Sequence, residues 1–273
     1  MKKELLLFTD FKNNQDGEDK IVAEKIQDLY NITFANIDNI LDKSTNVDGI
    51  LIRNNWPAFG AEQYFLNRLP DIYRQLKRTK ISCYNNLNAK GDMQGKGYLE
   101  TLFKKDYPVI PSILSITDID LLPDQATYAV KPLYGFDSWG FEVLSKNNLL
   151  NKDTTGQIIQ PFVNIAREIH NVFIDNKYVY SFSAKNRQED PMPDDIVYCE
   201  VPNELIQMAQ RFIDWNNQAY GLQRIDIVET EDGKFYLNEL EDHSPYLWIQ
   251  AMPENIQDKF FEMFRVSLQK WLN

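Results

Sequence analysis

Apolar and polar positions follow two rhythms along the first 84 residues. Residues 4–8 (Glu-Leu-Leu-Leu-Phe) are an almost unbroken apolar run of strand length, the pattern of a strand covered on both faces. After a polar loop, Ile21, Val22, Ile26 and Leu29 recur at helical spacing. Short strand patterns follow at 31–37, 48–53 and 81–84, with helical spacing between Tyr64 and Leu76. Strands alternating with helices predict a small α/β unit with a largely parallel sheet. The polar, glycine-containing stretch 85–97 reads as a boundary, and a short helix at 98–103 is stopped by Pro108 and Pro111.

From Tyr128 the two-residue rhythm dominates. Strands are predicted at 128–131, 141–144, 158–163, 171–174 and 178–184, with Asp175-Asn176 as the turn between the last two. The segment 186–195 is acidic and punctuated by proline, as a surface loop would be. Asn203 is placed to cap a helix with the stripe Leu205, Met208, Ala209, Phe212 and Ile213. A hairpin spans 224–241, and a closing helix carries Phe260, Phe261, Phe264, Leu268 and Trp271. The expected organisation is an N-terminal α/β domain (1–84), a connecting helical segment (85–127), a small β-rich subdomain (128–192) and a C-terminal subdomain (193–273).

Composition narrows the classes of function. The 273 residues are 43% hydrophobic and 13% aromatic, enough to build a core without staples. The formal charge of −11 argues against a general nucleic-acid binder, which needs a surplus of Lys and Arg, yet leaves room for a local cationic pocket. No apolar window is long enough for a membrane span, and the N-terminal apolar run is too short for a signal peptide, so a cytoplasmic protein is expected. Cys83 and Cys199 belong to no paired motif and read as two reduced thiols.

The hairpin carries the most chemistry. If Asp232-Gly233 is the turn, residues whose numbers sum to 465 face each other, so Asp226 lies opposite Glu239 and Arg224 opposite Glu241. All four then share one face, unless a bulge near Gly233 shifts the register. Like charges opposed on a sheet repel, so three converging carboxylates call for a cation, and an all-oxygen set suits Mg²⁺ or Mn²⁺. An exposed acidic hairpin face in an acidic protein fits the same pattern.

Two other segments offer partial signals. Tyr128-Ala-Val-Lys131-Pro132 ends a strand in a cation and leads into a loop with Gly135 and Gly140, a combination able to approach phosphate, although any β-hairpin can hold two glycines. Gln160-Pro161-Phe162-Val163 closes an apolar strand. With only His170 and His243, a histidine-based triad or zinc site has little material.

Taken in order, Lys96-Gly-Tyr-Leu, Tyr-Ala-Val-Lys131-Pro with its loop, Gln160-Pro-Phe-Val, Arg-Ile-Asp226 and Glu239-Leu-Glu241 resemble the ATP-grasp superfamily. The similarity is to its glutathione-synthetase-like and ribosomal-protein-glutamate-ligase-like branch, over roughly residues 81–250. It implies an α/β (α+β) ATP-grasp fold with an N-terminal α/β domain ahead of it. It also implies ATP and Mg²⁺ (or Mn²⁺) as cofactors, and small-molecule or peptide carboxylate and amine substrates. No nucleic-acid or membrane partner is implied, and homo-oligomerisation stays open.

By that resemblance Lys96 and Lys131 hold phosphates, and Gly135, Ser138 and Gly140 belong to a flap over them. Gln160, Pro161, Phe162 and Val163 form the hinge that meets adenine. Asp226, Glu239 and Glu241 hold metal, while Arg224 and Lys185 act near the transferred phosphate. Arg53, His243 and Ser244 are expected around the substrate. The flap is poorer in glycine than is usual and contains Trp139. Glu241 replaces a common asparagine, and His170 a common arginine. The activity implied is an ADP-forming carboxylate–amine ligase working through an acyl phosphate. The alternative is a nucleotide-binding regulatory relative without turnover.

Overall fold

The structure, a computed structural model, describes residues 1–9, 17–54, 62–135, 139–184 and 193–273. Ser138 and Lys185 therefore lie outside the described residues, as does most of the acidic loop at 186–195. The chain begins with β1 (Lys3–Phe8), α1 (Glu18–Ile26), β2 (Tyr30–Ala35), α2 (Ile40–Lys43), β3 (Gly49–Ile52), α3 (Glu62–Thr79) and β4 (Ser82–Tyr84). These strands make one parallel sheet in the order β2-β1-β3-β4.

Both faces of that sheet are covered, which explains the unbroken apolar run of β1. Leu6 and Phe8 pack with Ile40 of α2 and with Ile72, Tyr73 and Leu76 of α3. Leu5 and Leu7 turn the other way, toward Val22 and Ile26 of α1 and a large aromatic cluster. The same cluster contains Phe260, Phe261, Phe264 and Leu268 of the closing helix α7 (Glu254–Leu272), joining the N-terminal sheet to the rest of the chain. The helices α4 (Tyr98–Phe103), α5 (Lys146–Leu150) and α6 (Asn203–Asn216) lie between.

The remaining strands form two antiparallel sheets. Three strands, β5 (Thr127–Pro132), β6 (Glu142–Ser145) and β7 (Gln157–Pro161), order as β6-β5-β7. Five strands, β8 (Ile165–Ile174), β9 (Lys177–Ala184), β10 (Ile196–Cys199), β11 (Leu222–Thr230) and β12 (Phe235–Glu241), order as β10-β9-β8-β11-β12. The change of sheet thus falls between Pro161 and Ile165, whereas the sequence reading divided the chain at residue 192. β8 starts six residues ahead of its expected Asn171, because Arg167 and Glu168 hide its alternation. Asn203 does not cap α6: Pro202, in an extended conformation, is the cap residue, and its carbonyl accepts the amides of Leu205 and Ile206.

The hairpin register explains how the acids come to share a face. The turn uses three residues, not two: the Thr230 amide donates to the Lys234 carbonyl, and Gly233 closes the turn at φ +78°. Opposed residues near the turn therefore sum to 464, as Ile227 opposite Leu237 does. The register shifts again between Asp226 and Ile227, where Asn238 is the extra residue, and this restores Asp226 opposite Glu239 and Arg224 opposite Glu241. Ile225 and Ile227 point to the opposite face, where they pack with Leu205, Ala209 and Phe212 of α6.

Candidate active site

One row of residues crosses the five-stranded sheet: Phe182 on β9, His170 on β8, Asp226 on β11 and Glu239 on β12. Arg224 and Glu241 pair two residues farther along the same face. Ligand oxygens of Asp226, Glu239 and Glu241 all lie within 4.8 Å of one another, the one such metal-compatible group among the described residues.

Each acid has a different environment. Asp226 accepts Nε and Nη2 of Arg224, each at 2.8 Å, and His170 Nδ1 stands 2.9 Å from it. Burial alone would raise its pKa, but Arg224 and His170 outweigh burial and hold it well below the usual carboxylate range. Glu239 accepts Lys96 Nζ at 2.7 Å, and Lys96 with Lys131 likewise lowers its pKa against the effect of burial. Glu241 accepts Arg224 Nη2 at 2.6 Å through Oε1, while its buried Oε2 has no hydrogen-bond partner. Burial, helped by the neighbouring Asp226, Glu239 and Asp92 charges, pushes Glu241 well above its ordinary pKa despite Arg224. An all-oxygen trio with one orphaned acceptor fits a hard divalent cation.

The phosphate candidates stand beside this group. Lys96, with its side chain 7% exposed, lies 3.6 Å from Asp92 as well as on Glu239. Lys131, near the end of β5, donates to Asn238 Oδ1 at 3.2 Å, and Asn238 donates to Glu168. The bulged residue of β12 thus links the candidate phosphate lysine to the metal hairpin. Gly140, at φ +70°, cannot carry a side chain: a Cβ there would stand 2.7 Å from Pro132 Cγ.

Gln160, expected to offer backbone groups to a base, is 1% exposed and donates its side-chain amide to Ser112. Two expectations change. The Phe162 amide donates to Thr127 and its carbonyl accepts Gln125, which leaves the ring, 39% exposed, as the contact Phe162 offers. Arg53 is fully buried on Glu18, Asp19 and the Pro245 carbonyl, far from a free substrate-binding fork. An isolated arginine after a strand gives no sign that two acids of the first helix will enclose it.

A cavity of about 290 Å³ opens between α3 and this site. Gly135, Lys96, Glu241, His243 and Ser244 line it. His243 Nε2 is hydrogen-bonded to the Tyr73 hydroxyl, and burial lowers the imidazole to about 4, so the ring is neutral near pH 7. Sequence reading missed Asp92, and it placed Asp242 only in the wall around the substrate. Asp242 is fully buried and accepts the Gly91 and Met93 amides at 2.7 and 2.8 Å, tying the loop that carries Lys96 to the end of β12. The acidic run Glu239-Leu-Glu241-Asp242 was the available signal.

Comparison of the whole fold with solved structures decides the architecture. A D-cycloserine synthetase, DcsG, superposes with a TM-score of 0.71 at 16% identity, covering 98% of this chain and 99% of that one. The chain has the ATP-grasp fold. Among other ATP-grasp structures, the ligase PsnB with its minimal precursor gives 0.67 at 11% identity (98% and 100% covered). D-alanine–D-alanine ligase from Bacillus anthracis gives 0.63 at 15% identity (99% and 96% covered). No protein-family model and no curated protein sequence matches the chain.

Proposed function

We propose that the protein is an ATP-dependent, ADP-forming carboxylate–amine ligase. The observation that carries the reading is the convergence of Asp226, Glu239 and Glu241 within 4.8 Å, with Arg224 and Lys96 bonded to them at the foot of a cleft. The ATP-grasp fold supports it, as do two structural neighbours: the Bacillus anthracis ligase was captured with ATP, and PsnB with Mg and ADP.

In this reading a substrate carboxylate oxygen attacks the γ-phosphorus of ATP, and ADP leaves. The amine then attacks the acyl carbon of the resulting acyl phosphate, loses a proton, and inorganic phosphate departs as the amide forms. Asp226, Glu239 and Glu241 would hold Mg²⁺, which supplies charge neutralisation at the phosphates when bound. Lys96 and Lys131 neutralise phosphate oxygens, and the backbone of Gln160, Pro161 and Val163 with the Phe162 ring receives the base. Arg224 keeps Asp226 ionised and holds Glu241 close to it, adding positive charge where the phosphoryl group transfers. Gly135, Ser138 and Gly140 serve as the flap, Lys185 as a further cation, and His243 and Ser244 as substrate wall. Protein side chains need form no covalent bond, so positioning and charge carry the catalysis.

The test uses carboxylate substrates labelled with ¹⁸O, offered with ATP, Mg²⁺ and a panel of amines. Transfer of one ¹⁸O per turnover into released phosphate is expected. Amide formation with unlabelled phosphate would rule out the acyl phosphate. Nucleotide binding without ADP release across the panel would favour the regulatory alternative.

A further inference from the structure

We infer that the cleft under α3 receives the amine substrate as an amino-acid-sized zwitterion with an apolar side chain; the inference rests on the ligase reading above. Three observations carry it, each on a different wall.

The inner wall holds acceptors without donors. Ser244, 1% exposed, has a buried hydroxyl oxygen with no hydrogen-bond partner, and Asp92 Oδ1 is buried in the same condition. Both residues line the cavity. Leaving buried acceptors unpaired is costly, so they are matched to a ligand that brings N–H groups. A substrate ammonium carries three, and Asp92, already near Lys96, would accept one of them.

The long wall is apolar. Phe65, Leu66, Leu69 and Tyr73 of α3 face Met93 and Leu133 across the space. Leu66 is only half-buried and, among the described residues, packs into none of the four apolar clusters of the fold. A polar side chain against this wall would lose water without gaining partners, whereas an aliphatic or aromatic one gains burial. The third wall bears, at its mouth, Lys77, one helical turn beyond Tyr73, and the exposed Arg74, which also pairs with Asp71 at 2.8 Å; these cations match a carboxylate. At about 290 Å³ the space is at the small end for ligand pockets, suited to one amino acid or the end of a peptide.

The experiment is calorimetric titration, with and without ADP and Mg²⁺, of both enantiomers of leucine and phenylalanine. Serine, glutamate and 3-phenylpropionate, which lacks the amine, are compared. An enantiomer of leucine or phenylalanine is expected to bind, and the other three compounds about tenfold or more weakly. Ser244→Ala and Asp92→Asn should each weaken that binding by about tenfold. Leu66→Gln, at a position outside the clusters, should do so without loss of fold. Serine or glutamate binding as tightly as leucine, unchanged affinity in both Asp92→Asn and Ser244→Ala, or no binding under either condition would overturn the inference. If leucine binds as described but no ATP is consumed, the ligase reading fails and the pocket stands. If ¹⁸O transfer proceeds only with polar amines, the pocket fails and the ligase reading stands.

Discussion

Arg224 grips Asp226 by both carboxylate oxygens, Nε to Oδ1 and Nη2 to Oδ2, while the same Nη2 reaches Glu241 at 2.6 Å. One guanidinium therefore offsets two of the three crowded acids, and Lys96 offsets the third. Removing the arginine leaves buried carboxylates uncompensated, at a cost of about 3–5 kcal/mol. Arg224→Met should therefore melt far lower than wild type in EDTA. Mg²⁺ should recover more of the melting temperature in the variant than it adds to wild type, because the ion takes over the same charges. Equal Mg²⁺ shifts in the two proteins would separate the acid trio from metal binding.

The two glutamates of β12 should respond oppositely to loss of charge. Glu239 has Lys96 at 2.7 Å, so Glu239→Gln weakens a buried charged hydrogen bond and should lower stability by roughly 1–3 kcal/mol. Glu241 has an orphaned oxygen and like charges around it, so Glu241→Gln should leave metal-free stability unchanged or raise it. Both variants should lose Mg²⁺-dependent ADP formation. Urea denaturation without metal reads the first difference and an ADP assay the second. If both variants lose stability equally, the environments assigned to the two acids are wrong.

How far the sequence revealed this site follows from how local each signal is. The pairing of Asp226 with Glu239 was legible from side-chain alternation, but for an incomplete reason. A two-residue turn with no bulge and a three-residue turn with a bulge at Asn238 place the acids alike. Strand β1 was legible because its apolar run has one interpretation once both faces are covered. The burial of Arg53 was not, since it depends on Glu18 and Asp19, 35 and 34 positions earlier, and on the Pro245 carbonyl. Asp92 gains meaning only where α3, the loop before Lys96 and the segment after β12 meet.

Burial pushes the Cys83 thiol up to about 12. Near pH 8 a thiol with that pKa is ionised in roughly one molecule in ten thousand, against about a quarter for an ordinary cysteine. Iodoacetamide should therefore label Cys83 thousands of times more slowly than a model peptide at pH 8, and raising the pH to 10 should speed the reaction about a hundredfold. Cys199, also raised by burial but less enclosed, should react first. Peptide mapping by mass spectrometry during a labelling time course checks the order. Labelling of Cys83 at the peptide rate in folded protein would show that the β4 environment opens readily.

Arg53 separates a structural arginine from a substrate-binding one. Its Nε bonds Asp19 at 2.9 Å, one Nη bonds Glu18, and the other donates to the Pro245 carbonyl at 3.2 Å. Glu18 in turn accepts the amides of Leu247 and Ile249, so the cluster ties α1 and β3 to the chain just beyond the metal hairpin. Arg53→Met would strand two buried acids and should cost about 3–5 kcal/mol, whereas adding Glu18→Gln and Asp19→Asn should recover part of that loss. Arg53→Lys keeps the charge but not the planar fork, so it should lower stability by a smaller amount. Amine binding in the α3 cleft should survive in Arg53→Lys, since Arg53 does not line that cavity. Thermal melts read the first effect and leucine titration the second. A variant that melts like wild type yet no longer binds amine or carboxylate would return Arg53 to the substrate site.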